Sequence, residues 1–245
     1  MKPLRDWMDQ ARNIVFFGGA GVSTASGIPD FRSAHGLYAG AQGMSYEEML
    51  SIGYFQAHPD DFWRFYREVM LYPDARPNGA HLALCRLEQQ GKLKAVLTQN
   101  IDGLHQAAGS QHVLELHGTV HRNLCMKCGR EYSLAQVLAQ PGTPHCEACG
   151  GLIRPGIVLY GEPLDDQVMS EAVHAVRQCD LLMVGGTSLV VYPAAGLIRY
   201  RRPGTPLILL NRDATPYDGE ATLVVRQDIA AALSEAVNES QEEHP

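Results

Sequence analysis

The distribution of apolar residues along the chain predicts strands that alternate with helices. Short apolar runs of strand length are bounded by Gly, Pro, Asn or Asp and occupy residues 14–17, 95–97, 113–116, 157–160, 181–184 and 207–210. Between them, apolar side chains recur at helical spacing in residues 60–71, 80–90, 165–177 and 193–201. This alternation predicts an α/β fold, a Rossmann-like parallel sheet with helices on both faces.

Two stretches interrupt the alternation and are interpreted as insertions into one core. Residues 33–77 have a mostly helical and loop-like pattern, and residues 122–152 carry paired cysteines. We therefore predict a single domain over residues 1–245, whose Rossmann-like core is formed by residues 1–32, 78–121 and 153–238. The helical insert and the smaller module are expected to lie beside this core.

Composition narrows the class of protein. The chain has 245 residues, of which 45% are hydrophobic and 19% charged, as in globular proteins. Its formal net charge of −7 argues against nucleic-acid binding by phosphate neutralisation, and an acidic surface suits a basic, lysine-bearing partner. Because no apolar stretch reaches the length of a membrane helix and no signal-like segment follows Met1, we expect a cytoplasmic protein without membrane contact.

Four cysteines have the spacing of a zinc site. Cys125 and Cys128 are separated by 17 residues from Cys146 and Cys149. Two tight turns at this spacing each present two thiolates to one tetrahedral zinc ion. Four thiolates fill the coordination sphere, so the metal is predicted to be structural. The alternative, two disulfides or a redox pair, fits poorly with a chain that shows no export signal.

A glycine turn follows the first apolar run. Residues 14–17 lead into Gly19, Ala20 and Gly21, a sequence that allows the backbone to approach a pyrophosphate closely. The third glycine of the dehydrogenase fingerprint is replaced by Thr24, and no ribose-binding acidic residue follows a second strand where one is expected. These departures disfavour a hydride-transfer enzyme.

Further motifs follow this turn in a defined order. They are Gly27-Ile28-Pro29-Asp30-Phe31-Arg32, Thr98-Gln99-Asn100-Ile101-Asp102, His117-Gly118, the paired cysteines, the run from Arg154 to Glu162, the run from Gly186 to Pro193, and Asn211. With them the chain resembles the sirtuin family of NAD-dependent protein deacylases, in the compact form of bacterial and archaeal deacetylases, over nearly its whole length.

The resemblance implies one catalytic domain that consumes NAD as a co-substrate. In this family the acyl-lysine carbonyl oxygen attacks the ribose carbon that carries nicotinamide, and nicotinamide leaves. The implied products are deacetylated lysine and 2'-O-acetyl-ADP-ribose. The implied partners are proteins or peptides that carry acetyl-lysine.

The resemblance also assigns catalytic roles. His117 is the expected general base, because a histidine with a pKa near neutrality suits deprotonation of a ribose hydroxyl. A histidine alone is more often structural, and only the motif selects His117 among ten histidines. Asn100 and Asp102, with Gln99 and Ile101, are expected to hold the nicotinamide carboxamide. A simple turn with a helix cap is the alternative for Asn100 and Asp102.

The resemblance implies a full set of NAD contacts, which includes the four residues at the nicotinamide end. The set comprises Gly19, Ala20, Gly21, Ser23, Asp30, Phe31, Arg32, Gln99, Asn100, Ile101, Asp102, Gly186, Thr187, Ser188, Asn211, Asp228 and Ile229. The loop over residues 33–43 is expected to close over the cofactor. A surface salt bridge between Asp30 and Arg32, and helix capping by residues 186–188, stay open as alternatives.

The acylated peptide is expected to lie between two segments and to pair with their backbones. Its contacts are Val158, Leu159, Tyr160, Gly161, Glu162, Leu189, Val190 and Val191. Family members that favour acidic acyl groups carry Tyr followed three positions later by Arg. Here Tyr66 is followed at that offset by Val69, so acetyl-lysine is the expected substrate.

Two other functions use the same cofactor. A protein mono-ADP-ribosyltransferase would trap the activated ribose with a protein nucleophile. A non-enzymatic NAD-sensing module would bind the cofactor without reaction, although His117 and Asn100 exceed what that role needs.

A second departure from the family is Gly18, where sirtuins commonly have Thr, which removes a hydroxyl near the expected phosphates.

Overall fold

The computed structural model describes residues 2–30 and 44–238. Phe31, Arg32 and the predicted closing loop of residues 33–43 lie outside this range. The nine strands are β1 (Ile14–Gly18), β2 (Leu93–Thr98), β3 (Val113–Glu115), β4 (Gly118–Cys125), β5 (Glu131–Ser133), β6 (Ile153–Ile157), β7 (Leu181–Gly185), β8 (Leu207–Leu210) and β9 (Leu223–Val225) in the described part. Within the same residues, no helix has the length and apolar character needed to span a bilayer.

The helices of the described residues separate these strands. They are α1 (Lys2–Gln10), α2 (Tyr46–Met49), α3 (Ile52–Ala57), α4 (Pro59–Phe65), α5 (Gly79–Gln89), α6 (Leu104–Ala107), α7 (Leu134–Leu138), α8 (Asp166–Gln178) and α9 (Ile229–Asn238). A π-helical turn, Tyr66–Met70, continues α4. Single-turn and longer 3-10 segments occupy Ala20–Val22, Thr24–Ser26, Ala194–Tyr200 and Asp218–Glu220.

The larger sheet is parallel and has the strand order β3-β2-β1-β7-β8-β9. All five strand pairs run parallel, and β1 lies between β2 and β7. From β1 the chain first adds β2 and β3 on one side of the sheet. It then returns to add β7, β8 and β9 on the other side of β1. This reversal is the topological switch point at which open α/β sheets form ligand crevices.

Helices cover both faces of the larger sheet, as the apolar pattern predicts. Successive side chains of a strand point to opposite faces. Ile14 and Phe16 of β1 accordingly pack with α1, α5 and α9, whereas Val15 and Phe17 pack with α8 and the 3-10 segment Ala194–Tyr200. The continuous apolar run of β1 is thus explained by burial on both sides.

A smaller antiparallel sheet has the order β5-β4-β6 and carries the four cysteines. Its strands β4 and β6 begin and end several residues outside the predicted module of 122–152. A third apolar cluster joins this module to the helical insert, because Phe62 and Trp63 of α4 pack with Tyr132 and Ile153. The two insertions, which the sequence pattern separates, therefore share one core.

The expected strand over residues 157–160 is wrong in its placement. Ile157 ends β6, which pairs with β4 in the antiparallel sheet, and the residues after it leave the strand. The pattern also gave no indication of α1, β9 or α9. A three-residue strand such as β9 holds too few positions for a periodic signal.

Candidate active site

A cavity of about 960 Å³ lies at the carboxyl ends of the parallel strands. The residues that follow these strands meet there because parallel strands end at the same edge of the sheet. Gly18 ends β1, Thr98 ends β2, Gly185 ends β7 and Leu210 ends β8. The motifs that are far apart in the sequence are therefore brought to one crevice.

The ends of β1 and β7 approach so closely that glycine is required. The Gly21 amide donates to the Gly186 carbonyl at 2.8 Å. A Cβ at Gly21 would lie 2.7 Å from the Gly186 Cα, and a Cβ at Gly186 would lie 2.4 Å from the Val22 amide nitrogen. Gly186 also has a φ of 62°, which favours glycine. The two glycines therefore let the backbones of these segments contact each other directly, and both line the cavity without a side chain.

Ser23, Asn100 and Asp102 form a hydrogen-bonded group on the cavity wall. The Ser23 hydroxyl donates to Asp102 Oδ2 at 2.6 Å, and Asn100 Nδ2 donates to Ser23 Oγ at 3.0 Å. Asp102 Oδ1 accepts from the Leu104 amide at 2.9 Å, at the start of α6. Ser23 and Asn100 are buried, so their positions are fixed. The helix-capping contact and a role toward a ligand are compatible, because Oδ1 carries the cap and each carboxylate oxygen has a second lone pair that can accept a further hydrogen bond.

A second polar group joins β2, β7 and β8. Thr187 Oγ1 donates to Gln99 Oε1 at 2.9 Å. The Asn211 side chain accepts from the Thr187 amide at 3.1 Å and donates to the Thr187 carbonyl at 2.9 Å. Gln99 Nε2 is buried without a hydrogen-bond partner among the described residues. A buried unpaired donor costs free energy, so it indicates a ligand oxygen at this position.

His117 lines the cavity and uses one ring nitrogen in a hydrogen bond within the described residues. Its Nδ1 lies 3.0 Å from the Gln99 carbonyl oxygen. Because a carbonyl only accepts, Nδ1 is assigned the proton and Nε2 is left as a base. Burial lowers the pKa of His117, and the hydrogen bond to Gln99 opposes that shift. The neutral form therefore prevails at pH 7, as a general base requires.

The segment after β6 forms the opposite wall. Arg154 holds Glu162 through two hydrogen bonds of 2.6 and 2.7 Å, and Glu162 Oε2 accepts from the Leu159 amide at 2.9 Å. Arg154 and its hydrogen bonds lower the pKa of Glu162 against the raising effect of burial, which is the largest single influence. The Tyr160 amide and carbonyl pair with Leu50 and Ile52 of the helical insert, each at 3.0 Å. This wall is thus preformed by both insertions.

Leu189 lies on the segment that faces this wall and has an unusual backbone conformation. It has a φ of 58°, which is rare for a residue with a side chain, and its side chain is buried. The Leu189 amide donates to Thr187 Oγ1 at 3.3 Å. Such strained residues concentrate at ligand sites, where the surrounding structure fixes them. The next residue, Val190, is 50% exposed and open to a partner.

Most residues predicted for the site line the cavity. They are Ala20, Gly21, Ser23, Asp30, Gln99, Asn100, Ile101, Asp102, His117, Val158, Leu159, Tyr160, Gly161, Glu162, Gly186, Thr187, Ser188, Val191, Asn211, Asp228 and Ile229. Gly19, Leu189 and Val190 lie next to the lining residues, and Phe31 and Arg32 lie outside the described residues. Asp228 pairs with Arg212 at 2.6 Å and accepts from the Ala231 amide, so it also caps α9.

Three supporting residues escaped the sequence analysis. Thr98 Oγ1 accepts from the Asn100 amide at 3.0 Å. Asn78 Nδ2 donates to the Val22 carbonyl at 2.8 Å and to Ser26 Oγ at 2.9 Å, which fixes the glycine turn. His121 Nε2 lies 3.0 Å from the Asp102 carbonyl oxygen. Asn78 and His121 act on residues distant in sequence, whereas Thr98 acts on a residue two positions away. An Asn that precedes a helical pattern, as Asn78 does, offered a local signal.

The four cysteines form a cluster that fits zinc. Their Sγ atoms all lie within 4.8 Å of one another, with 3.5 Å between Cys125 and Cys149 and 3.6 Å between Cys128 and Cys146. Tetrahedral zinc with bonds of about 2.3 Å would place its sulfur ligands about 3.8 Å apart. Among the described residues no histidine or carboxylate belongs to this group. The donor set and its spacing match a closed, structural zinc site.

A buried histidine pair lies behind the Asp102 wall. The His81 and His105 ring centroids are 4.8 Å apart, and both side chains are at most 1% exposed. His81 Nδ1 accepts from the Asn78 amide at 3.2 Å, whereas both ring nitrogens of His105 lack protein partners in the described part of the chain. Burial lowers the pKa of each histidine, and for His81 the Asp102 carboxylate opposes that shift.

We expect this pair to weaken folding at mildly acidic pH. Below about pH 6.5 the unfolded chain binds protons that the buried, neutral histidines exclude, so the free energy of unfolding falls as the pH falls. The contribution is complete above that pH and declines by about 2 kcal/mol or more between pH 7 and pH 5. Urea unfolding at both pH values measures it. His105→Leu is expected to reduce the decline, whereas His174→Gln, at an exposed position of α8, is expected to leave the decline unchanged. Equal declines in the native protein and in both variants would contradict the prediction.

The chain is similar to proteins of known family over its full length. A family model described as Sir2 family matches residues 19–193. A protein named NAD-dependent protein deacetylase from Clostridium acetobutylicum is 54% identical over 237 residues, 96% of this chain and 96% of that protein. A protein of the same name from Clostridium tetani is 52% identical over 241 residues, 97% of each.

Solved structures agree with this relationship. A Sir2 structure with a p53 peptide and NAD+ has a TM-score of 0.85 and 39% identity, covering 98% of both chains. A Sir2 complex with the inhibitor EX-527, 2'-O-acetyl-ADP-ribose and deacetylated p53 peptide has a TM-score of 0.85 and 38% identity, covering 98% of this chain and 99% of that one. The chain belongs to the Sir2 family.

Proposed function

We propose that the chain is an NAD-dependent protein lysine deacetylase. It moves the acetyl group of a lysine side chain to ADP-ribose, releases nicotinamide, and leaves deacetylated lysine and 2'-O-acetyl-ADP-ribose. The observation that carries the proposal is the free Nε2 of His117 on the same cavity as Asn100 and Asp102. The names of the Sir2 relatives and the ligands of the solved Sir2 structures support the same reaction.

NAD is the co-substrate that the cavity residues fit. The Gly21 and Gly186 cradle has no side chains to obstruct a diphosphate. Asn211 and Thr187 offer amide and hydroxyl groups for ribose hydroxyls, and Ile229 offers an apolar contact for adenine. The unpaired donor Gln99 Nε2 would gain an acceptor from the cofactor. When bound, NAD supplies the ribose carbon to which the acetyl group is transferred.

The nicotinamide end is expected to lie against Asn100, Ile101 and Asp102. The carboxamide needs both a donor and an acceptor, and the hydrogen bonds from Ser23 hold the amide and the carboxylate in place for it. Ile28 and Ile101 supply apolar surface on the same cavity. An apolar wall excludes water, which would otherwise compete with the acyl oxygen for the ribose carbon.

His117 is assigned the general-base role. Its Nδ1 proton is held by the Gln99 carbonyl, so Nε2 can accept the proton of a ribose hydroxyl. Because Gln99 also bonds Thr187, the histidine is oriented by the same residue that lines the cofactor site. Proton acceptance at Nε2 then makes the ribose oxygen nucleophilic toward the acyl carbon.

The acylated peptide is expected to lie between residues 158–163 and 189–192. Amides of Val158, Leu159, Tyr160 and Glu162 already donate within the protein, so peptide pairing must draw on the carbonyls of this segment and on the facing segment. The exposed Val190 and the half-exposed Tyr160 flank this channel. Recognition through backbone groups predicts loose sequence preference around the acetyl-lysine.

Acetyl-lysine is predicted to react at least tenfold faster than succinyl-lysine. Val69 lines the cavity and is apolar, whereas the cation Arg67 turns to the zinc module, where it bonds main-chain carbonyls. A succinyl carboxylate buried without a cation there would cost several kcal/mol, which is about the size of a hundredfold or greater loss of rate. Steady-state rates on matched acetyl and succinyl peptides test this expectation. Comparable rates on the two peptides would show that a cation reaches the acyl site.

Product analysis of the native protein tests the proposed function itself. Incubation with NAD and an acetylated peptide is expected to yield nicotinamide, deacetylated peptide and 2'-O-acetyl-ADP-ribose in equal amounts. Nicotinamide with ADP-ribose attached to protein would favour the mono-ADP-ribosyltransferase alternative. NAD binding without any product would favour the sensing module, and reduced cofactor would indicate hydride transfer. The cytoplasmic location stays a prediction of the sequence.

A further inference from the structure

One face of α4 and the following π-helical turn contacts the zinc module at three positions. The Asp60 carboxylate accepts from Thr143 Oγ1. Trp63 Nε1 donates to the Ile153 carbonyl at 3.2 Å, and Arg67 reaches the turn after α7. Positions separated by three and four residues lie on one face of a helix, so these contacts form one continuous seam.

Arg67 makes the densest contact of this seam. Its Nη2 lies 3.1 Å from the Val137 carbonyl oxygen, and 2.9 Å from those of Gln140 and Gly142. The Val137 carbonyl belongs to the last turn of α7, and the carbonyls of Gln140 and Gly142 belong to the turn that follows it. The C-terminal end of a helix carries partial negative charge, which favours a cation such as the Arg67 guanidinium. The Arg67 Cζ also lies 5.7 Å from the centre of the Trp63 ring, which steadies the side chain.

The seam is close to the acyl end of the cavity. Val69 and Met70 lie two and three positions after Arg67, and both line the cavity together with Leu50. Tyr66, immediately before Arg67, is fully buried in the apolar cluster that the insert shares with Tyr132 and Ile153. The position of this cavity wall is therefore fixed by contacts to the zinc module and not by the parallel sheet.

We infer that Arg67 is a positioning residue that ties the apolar wall of the acyl-lysine site to the zinc module. Folding of the module around its four cysteines then sets the affinity for acylated peptide, while the adenosine end of the cavity, where Gly186 follows β7 and Asn211 follows β8, is built on the parallel sheet. The inference rests on the proposed deacetylase function for its kinetic part. Its structural part, the link between Arg67 and metal retention, does not.

The kinetic test compares Arg67→Gln with Arg64→Gln. Arg64 lies on the same helix, is exposed and pairs only with Asp61 in the described part of the chain, so it is a matched control. Arg67→Gln is expected to raise the peptide KM by about threefold to thirtyfold, the range found for residues that modulate a site without touching its ligand. The KM for NAD is expected to stay within about twofold, since the adenosine end of the cavity, at β7 and β8, lies on the other sheet. Arg67→Lys keeps the charge but not the planar guanidinium, so its peptide KM is expected to lie between those of the native protein and Arg67→Gln.

Zinc loss gives a readout that needs no catalysis. Transfer of zinc to a chromogenic chelator is expected to be faster in Arg67→Gln than in Arg64→Gln and the native protein. Zinc-depleted native protein is expected to show the same selective rise in peptide KM, which covers the case in which Arg67→Gln fails to fold. An unchanged peptide KM, or an equal rise in both KM values, overturns the inference. Inactive native protein would overturn the proposed function, and equal zinc-loss rates would then separately overturn the Arg67 link.

Discussion

Replacing His117 by Ala is expected to lower the rate of deacetylation by about a hundredfold to ten-thousandfold, the usual contribution of a positioned general base. His117 lines the cavity, and the Gln99 carbonyl holds its Nδ1 at 3.0 Å, which leaves Nε2 as the base. Alanine removes the proton acceptor and leaves the Ser23, Asn100 and Asp102 group in place. NAD is therefore expected to bind the variant with nearly native affinity.

The two halves of the reaction should separate in this variant. The base acts on a ribose hydroxyl after nicotinamide has left, so exchange of labelled nicotinamide into NAD should persist while deacetylated peptide no longer accumulates. His174→Ala, on the exposed side of α8, serves as the control because its histidine lies far from the cavity lining. Deacetylation above about a tenth of the native rate in His117→Ala would assign the base to another group, since a base contributes more than that.

The pH dependence provides a second check on the same residue. Burial lowers the pKa of His117 below that of an exposed histidine. The neutral, active form is then retained to lower pH, and kcat is expected to rise with pH through a midpoint below about 6.5 and to level off above it. A midpoint above that value would show that the protonated form is stabilised in the complex by a neighbouring negative charge.

The parallel sheet was predictable because its strands are buried on both faces. Such strands appear in the sequence as continuous apolar runs, as β1, β7 and β8 do throughout and β2 does over residues 95–97. Sites in such a sheet form at the strand ends, which explains why residues chosen after those runs line one cavity. The short edge strand β9 and the terminal helices α1 and α9 were not predicted.

Contacts between distant segments could not be predicted from local patterns. The Ser23 to Asp102 bond joins positions 79 residues apart. The union of the helical insert with the zinc module depends on Arg67 and Trp63, which periodicity alone describes only as helical positions. The sequence indicates only that Gly18 lacks a hydroxyl near the expected phosphates. The structure adds that a Cβ at Gly18 would lie 2.7 Å from Phe16 Cε1, so the Phe16 ring occupies the space that a threonine would need.

Replacing Cys146 by Ser is expected to abolish zinc retention and to destabilise the protein by several kcal/mol, since structural zinc sites supply folding free energy directly. Cys146 is buried, lies 3.6 Å from Cys128 in the four-cysteine cluster, and accepts from the Tyr132 hydroxyl at 3.1 Å. A serine hydroxyl is a poor zinc ligand beside three thiolates. The variant therefore loses the link that holds its two cysteine turns together.

The damage should spread from the module to the helical insert before it reaches the parallel sheet. Cys146 and Tyr132 belong to the apolar cluster that also contains Phe62 and Trp63 of α4. The clusters on the two faces of the parallel sheet contain neither insert. Hydrogen exchange is therefore expected to rise first in the module and in α4, while β1 and β7 stay protected.

Metal analysis, thermal unfolding and hydrogen exchange together measure this prediction. The native protein is expected to hold one zinc per chain and Cys146→Ser close to none. Cys179→Ala, a buried cysteine whose thiol donates to the Val176 carbonyl under α8, is the control and should retain the metal. Full zinc content in Cys146→Ser would mean that three thiolates suffice to hold the metal. Uniform loss of hydrogen-exchange protection across both sheets would mean that the module and the parallel sheet unfold as one unit. Selective loss in the module and α4 would instead establish that the zinc supports the acyl end of the cavity through their shared core.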